Sequence, residues 1–303
     1  MKHGAKGLLY AALIAASFFS VNCAKEKEAD PKYVKEIQQW QQKRVENLKK
    51  PTGWLSLIGL FWLKEGENTF GSAKDNDFVF PEGKAAAHMG AFILKDSVVS
   101  IKINNDVKVL INKEEKKEAV LRSDMEDETD VLNYGSLQWN IIKRGEKYGV
   151  RLRDLESEKI KNFAGIETFP VKESWKVIAK YIPYNPPKKI EIPTVLGTVE
   201  EGEAPGYLTF SLDGKEYKLD PTQEGDEFFI IFADMTNGED TYGAGRFLYS
   251  AAADSTGYVT LDFNKAYNPP CAFSRYATCP LPPEQNRLHV RVEAGEKAYK
   301  GEH

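Results

Sequence analysis

Ala91-Phe-Ile-Leu94, Val98-Val-Ser-Ile-Lys-Ile103 and Val107-Lys-Val-Leu-Ile111 are three short apolar runs parted by turn residues. β-branched and aromatic residues at alternating positions, bounded by Gly, Asn and Asp, read as strands. Asn104-Asn-Asp106 is expected to join the last two as a hairpin. The same texture extends in both directions. Upstream lie Trp54-Leu-Ser-Leu-Ile-Gly-Leu-Phe-Trp-Leu63, dense enough for buried core, and Asp77-Phe-Val-Phe80. Downstream come Leu137-Gln-Trp-Asn-Ile-Ile142, Tyr148-Gly-Val-Arg-Leu-Arg153, Trp175-Lys-Val-Ile-Ala-Lys-Tyr181 and Tyr207-Leu-Thr-Phe-Ser-Leu212. Glu216-Tyr-Lys-Leu219, Phe228-Phe-Ile-Ile-Phe232, Tyr258-Val-Thr-Leu-Asp-Phe263 and Leu288-His-Val-Arg-Val292 complete the series. Asp213-Gly214 is a two-residue hairpin signal. Many short strands with turn-rich connections predict a mainly β fold of antiparallel sheets, sandwich-like or barrel-like.

One helix stands apart. Asp30-Pro31 is a helix start, with Asp capping and Pro in the first turn. Val34, Ile37, Trp40, Val45 and Leu48 follow at near-helical spacing, and Pro51 ends the segment. This amphipathic helix is expected to pack on the following domain. The resulting division is 1–22 leader, 23–50 tether and helix, 51–143 an N-terminal β subdomain, and 144–303 a C-terminal β subdomain. Residues 182–193, with prolines at 183, 186, 187 and 193, are expected to form a loop.

The leader has Lys2 and Lys6, then an apolar run over residues 8–21 that is too short for a comfortable membrane span. It stops at Ser20-Val-Asn-Cys23, before the charged Lys25-Glu-Lys-Glu28. This pattern predicts a lipoprotein signal with Cys23 as the lipidated first residue, and so an exported protein anchored to a membrane of the cell envelope. Ordinary secretion with cleavage nearby is the alternative. The formal charge of −4 over 303 residues, with 42% hydrophobic and 28% charged side chains, suits an ordinary globular chain. It is not the balance of a nucleic-acid binder.

Several chemistries lack their residues. His88 and His289 are the histidines inside the folded part, without metal-ligand spacing, so no metal is expected. The G-x-S-x-G elbow and the phosphate loop are missing, and no cofactor is implied. The acidic run Ser123-Asp-Met-Glu-Asp-Glu-Thr-Asp130 could offer oxygens to calcium, but it lacks the glycine and ligand spacing of an EF-hand and reads first as a solvated loop. Arg287, His289 and Arg291, like Arg151 and Arg153, alternate along strands; they could make a basic strip for an anion, but a solvated strand face is the reading expected first.

The polar residues concentrate in residues 232–296. Asp234-Met-Thr-Asn-Gly238, Thr241-Tyr-Gly-Ala-Gly-Arg246, Leu261-Asp-Phe-Asn264, Asn268-Pro-Pro-Cys-Ala-Phe273, Cys279-Pro-Leu-Pro-Pro283, Asn286 and Ala294-Gly-Glu296 follow in close order. A pocket centred on Arg246 and bordered by Tyr242, Asp262, Asn264 and Asn268 is the candidate site. Arg246 would hold an anion, Asp262 would be the base if chemistry occurs, and glycines 243 and 245 would admit a ligand to the backbone. An Arg246–Asp262 pair that merely locks two strands is the competing reading. The function expected first is a binding lipoprotein for a small polar or anionic ligand. The alternative is a carboxylate-dependent envelope hydrolase acting on a glycan or ester. Export and the even pair left after Cys23 also predict a Cys271–Cys279 disulfide.

These motifs, with Gly53-Trp-Leu-Ser-Leu-Ile-Gly-Leu-Phe-Trp-Leu63, resemble the bacterial and archaeal family known as domain of unknown function 1684. That resemblance implies no activity. Phe70-Gly-Ser-Ala-Lys-Asp-Asn-Asp-Phe-Val-Phe-Pro81 with His88-Met-Gly-Ala-Phe92 is similar to the glycine-to-histidine stretch of forkhead-associated β-sandwiches. Ser72 and Ala87 stand where those modules carry the arginine and serine that hold phosphothreonine. The similarity therefore implies fold only.

Overall fold

The computed structural model describes residue 1 and residues 28–301. The expected leader and Cys23 lie outside the described residues. Among those residues no helix is long and apolar enough to cross a membrane.

The chain builds two β units and one long helix. Strands β1 (Leu57–Trp62), β2 (Gly66–Gly71), β3 (Phe78–Val79), β4 (Gly90–Lys95), β5 (Val98–Ile103) and β6 (Leu110–Ile111) come first. Then follow β7 (Glu114–Glu115), β8 (Glu118–Leu121), β9 (Leu132–Tyr134), β10 (Leu137–Arg144) and β11 (Lys147–Asp154). They form a six-stranded sheet, β1-β11-β10-β9-β6-β7, and a five-stranded sheet, β3-β2-β4-β5-β8. All pairings are antiparallel except β2 with β3. The sheets share one core in which Phe70, Phe80, Phe92, Trp139, Ile141 and Leu152 are buried. Alternating side chains from two facing sheets fill a sandwich in this way.

Two expectations change here. Asn104-Asn-Asp106 is not a hairpin turn, because β5 pairs with β4 and β8 while β6 pairs with β7 and β9. The chain crosses from one sheet to the other at that point. Alternation places Val107 and Val109 in the core but carries no information on which sheet they close. The β10–β11 hairpin spans position 144, so this unit continues to Asp154.

The second unit contains β12 (Lys176–Pro193), β13 (Val199–Leu212), β14 (Lys215–Leu219), β15 (Thr222–Glu224), β16 (Glu227–Phe232), β17 (Arg246–Ala251) and β18 (Tyr258–Asp262). Their sheets run β14-β13-β12-β18 and β15-β16-β17. Residues 182–193 are not a loop. They continue β12, which pairs with β13 on both sides of a register shift between Pro183 and Lys188. Proline is tolerated where a ladder is already interrupted. The hairpin bends there: Ala179 joins the core with Phe210, Phe228, Ile230 and Leu261, whereas Ile190 and Ile192 pack against Phe229, Ile231 and Phe247 on the other face of β16 and β17. The Asp213-Gly214 turn joins β13 to β14 as expected. Residues 288–292 form no strand, although Leu288 and Val292 are buried and His289 is exposed.

Helix α1 (Pro31–Lys49) is capped by the Asp30 carboxylate on the Lys32 N–H. Tyr33, Ile37 and Leu48 are its buried residues. Its apolar face is buried, but it packs chiefly on the C-terminal unit, against Asp262, Asn268, Phe273 and Glu296, rather than on the domain that directly follows it.

Candidate functional site

Many of the motif residues of 232–296 are buried, and those around the expected site fall into three clusters. In the first, Arg246 begins β17 opposite Phe232, the last residue of β16. That register brings Asp234, two residues beyond β16, beside the guanidinium at 2.8 Å. Both side chains are fully buried. Arg246 also donates to the carbonyls of Val292, at 2.8 Å, and Ala294, while its Nε lies buried without a partner. Asp234 further accepts from the Thr236 N–H, the Thr236 hydroxyl and the Val292 N–H. Arg246 is therefore not free to hold an external anion, and its ionic partner is Asp234 rather than Asp262. Gly245 has φ +95°, and a Cβ there would lie 2.4 Å from Pro282 and 2.7 Å from the Phe232 carbonyl. The space beside that glycine belongs to the protein's own chain, not to a ligand.

The second cluster joins Asp262 and Asn264 at the end of β18. Asp262 Oδ1 accepts from the Tyr33 hydroxyl at 2.8 Å, the Asn264 N–H at 3.2 Å and Asn264 Nδ2 at 3.1 Å. Asn264 also donates to the Tyr33 hydroxyl and the Lys172 carbonyl, and accepts from the Lys172 N–H. Burial, then the carboxylate beside it, holds the Tyr33 phenol well above its usual range. The expected shared face of Asp262 and Asn264 is present, but α1 occupies it.

The third cluster surrounds Glu296. Its carboxylate accepts from Arg44 Nε at 3.2 Å and from the Asn268 N–H at 2.7 Å. Arg44 also donates to the Asn268 carbonyl at 2.9 Å and lies 4.6 Å from the Tyr267 ring centroid. The Asn268 side chain donates to the Lys297 carbonyl. Burial raises the Glu296 carboxyl above its ordinary value against the opposing pull of Arg44. Tyr242 belongs to none of these clusters. It packs with Leu48, Phe163, Phe273 and Tyr299, and burial raises its phenol.

The five expected residues thus do not line one opening. Tyr33 and Arg44, eleven positions apart and so on one face of α1, reach Asp262, Asn264, Asn268 and Glu296. The second and third clusters are the seat of the helix, while the Arg246–Asp234 pair ties β17 to residues 292–294. Cys271 and Cys279 form the expected disulfide.

The open cleft lies on the other flank of α1. It has a volume of ≈ 730 Å³ and is walled by Gln38, Gln41, Gln42 and Val45 of the helix, by residues 162–168, and by residues 298–301. That volume falls within the range of small-molecule sites. Phe163 and Tyr299 lie in its floor with ring centroids 5.5 Å apart. Planar amides offer both donors and acceptors. Glu167 lines the cleft and pairs with Lys300 at 3.0 Å. The sequence signal for this wall is Gln38-Gln-Trp-Gln-Gln42, an uncharged polar patch in an otherwise charged helix.

A mainly β protein whose C-terminal polar block clasps its own N-terminal helix is the class these features define. The chain belongs to the family described as "Protein of unknown function (DUF1684)", which matches residues 161–297. It is similar to an uncharacterized protein of Haloarcula marismortui solved by solution NMR. That match has 30% identity, covers 46% of this chain and 80% of the other, and gives a TM-score of 0.39. The second forkhead-associated domain of a Mycobacterium tuberculosis ABC transporter is 23% identical, with 29% and 77% of the two chains covered and a TM-score of 0.23. No curated protein matches the chain.

Proposed function

We propose that this is a lipid-anchored binding protein of the cell envelope that takes a small, neutral polar ligand, such as a sugar unit of a glycan, in the cleft beside α1. The anchor reading rests on the leader and Cys23. The ligand reading rests on one observation: the cleft combines three glutamines on one helix with Asn162, Thr168 and an aromatic floor. Glutamine and asparagine amides match the paired hydroxyl donors and acceptors of a sugar, and a ring face packs its C–H surface. The hydrolase alternative is less well supported. Asp234, Asp262 and Glu296 are buried in the clusters above, and Glu167 is the carboxylate lining the cleft.

Titration of the mature chain with a panel of neutral oligosaccharides, followed by calorimetry and ligand-observed NMR, tests the proposal. Gln38 and Gln42 are exposed, so alanine at either leaves the fold intact. Binding by the wild type and a loss of at least fivefold in affinity in Gln38→Ala/Gln42→Ala is the expected result. No binding by any panel member, or equal affinity in the variant, defeats it.

A further inference from the structure

The outer face of the six-stranded sheet carries Arg151 and Arg153 of β11 and, on neighbouring β10, Arg144. These arginines are not the solvated strip their alternation suggests. Arg151 is only 8% exposed. The 3-10 turn Trp54–Ser56 and the disulfide loop 271–279 lie against this face. The Trp54 ring centroid is 5.7 Å from the Arg151 guanidinium and 5.6 Å from that of Arg153. Thr278, inside the disulfide loop, accepts from Arg144 Nε at 3.2 Å and Arg151 Nη2 at 3.4 Å.

Three guanidinium groups meet one carboxylate here. Asp124 is held closely by Arg144, at 3.0 Å, and stands 3.9 Å from Arg151. Arg153 uses one nitrogen, Nη1, for neutral partners, the Gly53 carbonyl at 2.6 Å and the Ser56 hydroxyl at 3.0 Å. Arg151 Nε is buried with no partner at all. Each guanidinium has five N–H donors, so most of those on Arg151 and Arg153 are uncommitted. Burial, followed by the nearby Arg144 charge, pushes Arg151 down to about 10. A buried cation whose nearest carboxylate is shared with Arg144 and stands 3.9 Å away, and whose Nε has no acceptor, is incompletely compensated, which is costly. Two arginines two residues apart on one strand face are separated by about 7 Å, a span that a tetrahedral oxyanion bridges.

We propose that Arg151 and Arg153, with Trp54 and the Thr278 hydroxyl as walls, form a binding site for a phosphate-type oxyanion, either the free ion or a phosphomonoester. Both lone pairs of Thr278 are engaged by arginine N–H groups, which directs its own proton away from them and makes it a donor to the anion. The site lies between the outer face of the N-terminal sandwich and the disulfide loop, and shares no residue with the glutamine-walled cleft.

Thermal denaturation and calorimetry of the mature chain, with inorganic phosphate against sodium chloride at matched ionic strength, test the assignment. Arg151→Gln is the informative variant. Removing a buried charge that lies between Arg144 and Arg153 and has only a distant share of Asp124, at 3.9 Å, is expected to leave the unliganded protein about as stable as the wild type, which separates lost binding from lost folding. Phosphate is expected to raise the wild-type Tm saturably above the chloride control, with affinity at least tenfold weaker in Arg151→Gln. Thr278→Val, which keeps every charge, is expected to weaken binding by a smaller factor. Glucose 6-phosphate in place of phosphate distinguishes the sources. Equal or tighter binding identifies a phosphomonoester site, and exclusion with phosphate still bound identifies a site for the free ion. Equal effects of phosphate and chloride on the wild type, or an undiminished response in Arg151→Gln, overturn the assignment.

Discussion

Replacing Arg246 with methionine separates a scaffold from a ligand site. The substitution keeps a long, flexible side chain in the β16–β17 hairpin but leaves Asp234 fully buried without its cation. Removing one partner of a buried pair costs about 3–5 kcal/mol. Asp234 retains the Thr236 N–H, the Thr236 hydroxyl and the Val292 N–H, which softens the loss. Acting against this, the Val292 and Ala294 carbonyls each lose a donor, at about 1–3 kcal/mol for a buried group left unmade. These terms are not additive, and roughly 4 kcal/mol is the expected total. With a urea m-value of about 3 kcal/mol/M, the unfolding midpoint should fall by roughly 1.3 M. Adding Asp234→Asn to Arg246→Met should recover part of the loss, because the orphaned charge disappears. Urea unfolding of the mature chain, followed by far-UV circular dichroism, measures all three proteins. A midpoint within about 0.3 M of wild type, with the fold intact, would refute the structural role and return Arg246 to the list of ligand residues.

Three further outcomes follow from the same contacts. Arg44→Met removes the ion pair to Glu296 and the bond to the Asn268 carbonyl, so amide exchange across α1 should speed up by one to two orders of magnitude, matching about 2 kcal/mol; unchanged exchange would show that the helix is held by its apolar face alone. Burial raises the Glu296 carboxyl above its ordinary value of 4.5, so the folded state holds that proton more tightly than the unfolded chain. Its contribution is full below about pH 4.5 and declines as pH rises through the raised value. The stability of Glu296→Gln relative to wild type should therefore increase from pH 4 upward, and a flat difference would contradict the assignment. Cys23→Ser should abolish incorporation of labelled fatty acid, whereas equal labelling of both proteins would remove the anchor.

Strand content was legible because alternation reports burial directly, and the Asp213-Gly214 turn carries its own geometry. The partner of each strand was not. Val107 and Val109 point to the core exactly as alternation requires of either sheet, so a sheet crossing at Asn104-Asn-Asp106 looks like a hairpin. Likewise, prolines 183, 186 and 187 mark an interruption of pairing rather than its absence, and β12 resumes beyond them. In the polar block, the residue types announced strong interactions without saying whether their partners were internal. Asp234 meets Arg246 only through the β16–β17 register. Asp262 and Glu296 find their partners some 230 and 250 positions away on α1. The burial of Arg151 is illegible for the same reason: nothing local to β11 reveals that Trp54 and Thr278 cover it.

Asp262, Asn264, Asn268 and Glu296 seat the helix, and recognition is proposed for the glutamine-walled cleft. Side-chain amide NMR of the mature chain, titrated with the tightest-binding neutral oligosaccharide, addresses both halves at once. Shifts are expected for the amides of Gln38, Gln41, Gln42 and Asn162, with those of Asn264 and Asn268 unmoved. Shifts centred on Asn264 and Asn268, with the glutamines silent, would contradict it.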